Sequence, residues 1–290
     1  MALLSLATTN FTDLRAEIAL RRRWLYVKFE KLLALLSSGT RKRILFSGKP
    51  DWFEEIKHGF DGLPYQIEFG PISEDSFQRY EIVVPLSLSA IEEARRNCPL
   101  RKLALPLPSK ESVRLCDDKY EFNQALVKYG FGQYIPKVTQ GVGLTTPYIL
   151  KKRVGSWGQD CYIIHNSEDE AAQLDRIRDP DYFCQEIVRG RSEFATHILF
   201  VEGRIVTALN IEYQFASEMP IKGQEKEQIK VVHRCQYLDL FASMLRTIQF
   251  EGLCCVNYKV ANGEPYLLEI NPRFGGSLGP YFFSFLRHLH

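Results

Sequence analysis

Close to its C-terminal end the chain reads EPYLLEINPRFGGSLG, residues 264–279, an apolar run that holds Glu269 and Asn271 two residues apart. Side chains alternate across a strand, so Leu267, Glu269 and Asn271 share one face and Leu268 and Ile270 the other. The Leu268 and Ile270 side can bury in a core. The Glu269 and Asn271 side must then meet something polar, because a buried carboxylate without a partner is very costly. A carboxylate beside an amide carbonyl oxygen is a hard donor pair. Mg²⁺ takes such donors, one or two from the protein and the rest from water and phosphate. On its own, E-x-N reads better as an edge strand with two solvated residues. A second strand, LCCVNYKV, sets Asn257 on the face of Cys255 and Lys259. Directly opposed residues of an antiparallel hairpin share a face. With Ala261 opposite Pro265, Asn257 meets Glu269 and three polar side chains converge. A two-residue turn of Asn262 and Gly263 instead sets Asn257 against Leu268. A metal cradle here therefore requires an odd-length loop or a bulge.

The elements that must carry this hairpin follow from periodicity. Leu14, Ile18, Leu25, Phe29, Leu32 and Leu36 predict an amphipathic helix over 13–36, packed on its own domain or on a second subunit, with Arg21, Arg22 and Arg23 toward solvent. From residue 41 the runs RILFSG, YQIEFG, YEIVVPL and KLALPL alternate with turn residues and short helical pieces. That pattern predicts a small parallel α/β domain over 41–115. It holds no G-x-G-x-x-G phosphate loop. Asp117 is the expected N-cap of a helix ending at Gly130, and Ser167 with Glu170 the expected capping box of another. Residues 217–230 are polar and read as a mobile loop. Seven cysteines, an odd number with no C-x-x-C, fit a reduced compartment, with Cys254 and Cys255 facing opposite sides of a strand. The chain of 290 residues carries a net charge of +2, which argues against nucleic acid as main partner. No stretch is long and apolar enough to span a membrane, and the first residues make a poor secretory signal. The expected location is cytoplasmic.

YLLEINPRFGGS resembles the signature of ATP-grasp enzymes, the carboxylate–amine ligases that include the large subunit of carbamoyl-phosphate synthetase. Other segments resemble the family in its own order: DDKYEFNQALVKYGFGQYIPKV, PYILKKRVGSWGQ, QEIVRGRSEF and GLCCVNYKV. The resemblance covers about residues 117–280. It implies an ATP-grasp fold, two α+β subdomains clasping ATP, over 116–290 with a lid at about 141–190. The small α/β domain (41–115) and the N-terminal helix (1–40) precede it.

The resemblance also implies roles. Lys119 and Lys151 reach the nucleotide phosphates, and strand alternation lets only one of Lys151 and Lys152 do so. Gly155, Ser156 and Gly158 close a phosphate loop in which Trp157 departs from the family's smaller residues. Glu186, Ile187 and Val188 form the adenine hinge, and Glu193 binds the ribose. Glu269, Asn271 and Asn257 hold one or two Mg²⁺ ions, or Mn²⁺ in their place. Asn257 stands where the family often has aspartate, so the binding expected is weaker and Asn257 is as open to a place behind the ligands. Arg273 steadies the transferring phosphoryl group or an oxyanion. The implied reaction joins a small-molecule carboxylate to an amine, amino acid or peptide-like, through an acyl phosphate. Phosphorylation of a hydroxyl, or nucleotide binding without turnover, remains open on the same residues. A homodimer is the expected assembly if the N-terminal helix is covered by a second copy.

Overall fold

A computed structural model describes residues 2–37, 42–98, 103–155 and 158–289. The first described element is helix α1 (Ala2–Ser37), whose side chains are described at residues 14 and 16–36. The apolar stripe predicted to pack is the exposed one: Leu14, Ile18, Leu25, Phe29, Leu32 and Leu36 all face outward. The packed face carries Ala19, Tyr26, Val27, Glu30 and Ala34. Two reasons favour it. Alanines allow close approach, and the buried Glu30 carboxylate finds the Arg287 guanidinium as an ion-pair partner. Tyr26 adds an edge-on ring contact with Tyr281.

Next come β1 (Arg43–Ser47), α2 (Phe53–Phe60), β2 (Gln66–Phe69), α3 (Ser76–Arg79), β3 (Ile82–Pro85) and α4 (Leu88–Asn97). The strands form a parallel sheet in the order β2-β1-β3. The run KLALPL, residues 102–107, is not a strand over its described residues 103–107, and Pro106 removes a ladder donor there. Helices α5 (Lys110–Asp117) and α6 (Lys119–Leu126) follow. The N-cap of α6 is Asp118 rather than Asp117, its Oδ1 accepting from the Tyr120 and Glu121 amides at 3.1 and 3.0 Å.

A four-stranded antiparallel sheet ordered β4-β7-β5-β6 comprises β4 (Val138–Thr139), β5 (Tyr148–Lys152), β6 (Cys161–Ile164) and β7 (Tyr182–Glu186). Between β6 and β7 lie α7 (Ser167–Ala172), capped by Asn166 rather than Ser167, and α8 (Leu174–Arg178). The core of this lid is small: Tyr148, Leu150, Ile164, Ile177, Tyr182 and Cys184.

The second antiparallel sheet is the floor. It contains β8 (Ser192–Val201), β9 (Arg204–Gln214), β10 (Ile229–His233), β11 (Gly252–Ala261) and β12 (Glu264–Asn271), ordered β10-β9-β8-β11-β12. Helix α9 (Leu238–Thr247) packs Phe241, Met244 and Leu245 on its outer face, with Phe122 and Leu126 of α6 beside them. The inner face buries Ala195, Leu199, Leu209 and Ile211 in one core with Ile44, Phe46 and Val84 of the parallel sheet. The closing helical segment Gly276–Ser284 inserts Phe282 and Phe283 into that same core. Cys254 and Cys255 face the two sides of β11, as alternation requires. Among the described residues no helix is long and apolar enough to cross a membrane.

Candidate functional site

The β11–β12 hairpin turns at Asn262 and Gly263, both left-handed with φ of 53° and 82°. This is the two-residue turn, and Ala261 pairs with Glu264. Left alone, that register would set Asn257 against Leu268. A β-bulge restores the alignment: Tyr258 pairs with Leu267, and the next pair is Asn257 with Glu269. The extra residue, Leu268, breaks the alternation. Leu267 joins Ile270 in the core, so it does not share the face of Glu269 as predicted, and Leu268 lines the cleft instead.

The bulge brings Asn257, Glu269 and Asn271 together. The Asn257 and Asn271 amides both donate to Glu269 Oε1, at 2.9 and 2.8 Å. Lys119 Nζ lies 3.7 Å from Glu269 Oε2 and donates to the Gly155 carbonyl at 2.6 Å. Burial pushes the Glu269 carboxyl up, but Lys119, Asn271, Lys151 and Asn257 outweigh it and hold the group below its ordinary value. Arg273 donates to Asn271 Oδ1 at 3.3 Å and to the Phe274 carbonyl at 3.0 Å.

The donor set fits a hard divalent cation of modest demands. One ionised carboxylate and two amides stand together beside a space large enough for phosphate and water. Both amide nitrogens turn to Glu269 and the Asn271 oxygen accepts from Arg273, so a half-turn of each amide would bring its oxygen to an ion. Among the described residues no group of three or more His, Cys, Asp or Glu offers an all-protein cage. With a single carboxylate, the phosphates must supply most of the counter-charge.

That space is a cleft of about 610 Å³ between lid and floor. It brings together most of the residues singled out in the sequence: Lys119, Lys151, Gly155, Glu186, Ile187 and Val188. Glu193, Asn257, Glu269, Asn271 and Arg273 line the same space. Ser156 and Trp157 lie outside the described residues. Lys151 and Lys152 both line the cleft, and β5 ends at Lys152. Lys151 Nζ donates to Gln185 Oε1 at 2.7 Å. At the end of β10, outside the cleft lining, His233 Nε2 sits 3.4 Å from Glu212.

Several lining residues were not singled out. Of residues 217–230, expected to be a mobile loop, Ile229 and Lys230 belong to β10 and the stretch before them is tied across the cleft. Lys222 Nζ stands 3.6 Å from Glu193 and 4.0 Å from the Tyr213 ring centre, and Gln224 Nε2 donates to the Cys161 carbonyl at 2.9 Å. Burial raises the Glu193 carboxyl above its ordinary value, with Lys222 opposing. Lys259 is 5% exposed, and burial lowers its ammonium. Its signal was present, since it shares the face of Asn257 in LCCVNYKV. Gln185 directly precedes the hinge, and His197 falls on the Glu193 face by alternation. Lys222 left no signal, because a loop lysine carries no period.

A family model described as an ATP-grasp domain matches residues 116–277, more than half of the chain. Among solved structures, L-amino acid ligase from Bacillus licheniformis superposes with a TM-score of 0.58 at 13% identity, covering 86% of this chain and 71% of that one. N5-carboxyaminoimidazole synthetase from Staphylococcus aureus, solved with ADP, gives 0.55 at 14% identity, covering 81% and 71%. D-alanine–D-alanine ligase from Bacillus anthracis gives 0.53 at 12%, covering 82% and 89%. At these identities the likeness is one of fold. An uncharacterised protein from Methanocaldococcus jannaschii is 24% identical over 179 residues, 58% of this chain and 43% of that protein. The match thus spans less than half of that relative's length.

Proposed function

The chain belongs to the ATP-grasp family, and from that premise we propose that it is a Mg·ATP-dependent ligase joining a small-molecule carboxylate to an amine. The observation that carries this reading is the bulged hairpin, which gathers Asn257 and Asn271 around the Glu269 carboxylate in the cleft wall, with Lys119 Nζ 3.7 Å away. The bound Mg²⁺ would neutralise phosphate charge beside Glu269, Asn257 and Asn271.

The chain's own residues do the rest. The backbone of Glu186, Ile187 and Val188 takes the adenine edge, and the Glu193 carboxylate accepts from the ribose hydroxyls. Lys119 and Lys151 meet the phosphates, Lys151 being steadied by Gln185. A carboxylate oxygen of the substrate attacks the γ-phosphorus, its bond to the bridging oxygen breaks, and ADP leaves an acyl phosphate. The amine then attacks the acyl carbon. Inorganic phosphate departs and the amine loses a proton. Arg273 stabilises charge on the transferred group and on the acyl oxygen. Lid and floor exclude the water that would hydrolyse the acyl phosphate. The reading divides the chain at about residue 116, with the lid over about 141–190.

The test is ADP release and acyl hydroxamate formation, with hydroxylamine as amine and a pool of free amino acids as carboxylates. The wild type should form hydroxamate, and Glu269→Ala should not. Equal ADP release by both proteins would sink the catalytic reading. A stable phosphorylated product without hydroxamate would replace the ligase by a kinase.

A further inference from the structure

Beneath the Gly275 turn lies a histidine that the reaction above does not use. His197 is fully buried in the middle of β8, on the face it shares with Glu193 and Ala195. Its Nε2 lies 2.8 Å from Ser277 Oγ, while its Nδ1 has no hydrogen-bond partner. The turn above is pressed flat on the ring. A Cβ on Gly275 would come within 2.5 Å of His197 Cε1, and one on Gly276 within 2.8 Å of the Trp52 indole. Residues 275 and 276 are thus held between an imidazole of the floor and an indole of the N-terminal α/β unit. Ser277 follows at once, lines the cleft beside Arg273, and stands close enough to the Tyr213 phenol to oppose the rise that burial gives its pKa. Lys222 lies over the same Tyr213 ring.

Burial holds the His197 ring neutral, with its pKa pushed down to about 3 and Lys222 acting in the same direction. A neutral ring carries one N–H. If Nδ1 held it, a buried donor would have no partner, which folded proteins rarely tolerate. If Nε2 holds it, only a lone pair goes unfilled at Nδ1. The second arrangement fixes the direction of every hydrogen bond that follows. Nε2–H donates to Ser277 Oγ, so the serine hydroxyl cannot donate back to the ring.

We propose that His197 is a positioning residue: held as the Nε2–H tautomer, it donates to Ser277 and so commits the Ser277 hydroxyl to donate away from the ring into the cleft, toward the carboxylate substrate beside Arg273. The substrate contact rests on the ligase reading; the tautomer does not. Through this contact the site would recognise the carboxylate that becomes phosphorylated, leaving the nucleotide to Lys119, Lys151 and the hinge.

Two measurements on the full chain test it. Long-range ¹H–¹⁵N correlation spectra should show the His197 Nε2 protonated and Nδ1 bare, unchanged between pH 8 and pH 5; an Nδ1–H tautomer or a charged ring overturns the proposal. In the hydroxamate assay with the amino-acid pool, His197→Leu and Ser277→Ala should each raise KM for the pool on the order of tenfold, the worth of one hydrogen bond. ADP affinity by calorimetry should not change. His197→Gln, whose amide keeps a donor at the same reach, should restore KM. Equal losses in the Leu and Gln variants, or weakened ADP binding in both, would mark the ring as a packing element only and overturn the proposal. Should His197→Leu fail to fold, Ser277→Ala and the spectra decide. Hydroxamate missing from the wild type sinks the ligase reading and the substrate contact with it, whereas the wrong tautomer in an active wild type sinks this proposal alone.

Discussion

Floor and lid enclose the same cleft but are built differently. The floor is a five-stranded sheet with packed cores on both faces, and its charged groups are wrapped by neighbours on the same sheet, as Glu269 is by Asn257 and Asn271. The lid is a four-stranded sheet whose buried core is little more than Tyr148, Leu150, Ile164, Ile177, Tyr182 and Cys184. A strong ionic tie joins it to α6: the Arg153 guanidinium bridges both Asp118 oxygens, at 2.6 and 3.1 Å. The contrast separates two tasks. Groups that must hold a fixed geometry stand where packing over-determines them. On the proposed reading, the groups that admit and release a nucleotide stand on the unit with the smaller core, which should cost less to open.

The sharpest way to break this comparison is to empty each core in turn. Phe200→Ala in the floor should cost about 3–5 kcal/mol of global stability, read by denaturant unfolding. Leu150→Ala in the lid should cost about 2–5 kcal/mol, but hydrogen exchange should confine the loss to residues 138–186. A lid variant that unfolds the whole chain at once would erase the distinction.

Cutting the tie comes next. Asp118→Asn removes the carboxylate from a pair whose side chains are 17% and 26% exposed, and should raise lid exchange by about 1–3 kcal/mol. Exchange in the floor should not change.

Acid gives the smallest effect and orders the two regions. Burial raises the Asp118 carboxyl, but the Arg153 hydrogen bonds and the α6 amides outweigh it, leaving the group below its ordinary value. A depressed folded value means that the stabilisation is full above the unfolded value of about 3.9 and fades as pH falls through the folded one. Glu193 is held above its ordinary value by burial, so it protonates first. On acidification, nucleotide affinity should therefore fall a few-fold, roughly the worth of one weakened hydrogen bond, before lid exchange rises. The reverse order, seen by calorimetry and exchange on the same samples, would contradict the assignment of Glu193.

How much of this was legible in the sequence depended on periodicity. The strands of the floor and the Asn257, Glu269 and Asn271 set could be read because alternation dictates their faces. Alternation failed at Leu267 and Leu268, where a bulge reconciles an Asn-Gly turn with the pairing of Asn257 and Glu269. Within its own chain helix α1 does not bury its apolar stripe, because hydrophobicity marks what can be buried, whereas the neighbours' shape selects Ala19 and Ala34, and the Arg287 partner selects Glu30. Lys222 and the strap around it were illegible, since their place depends on contacts far away in the chain.

The most direct measurement is calorimetric titration of ATP into the wild type and Glu269→Gln, each with and without Mg²⁺. The wild type should bind ATP on the order of ten- to a hundredfold more tightly with Mg²⁺, and Glu269→Gln should lose most of that gain. Wild-type affinity indifferent to Mg²⁺, or a gain preserved in Glu269→Gln, would contradict the account.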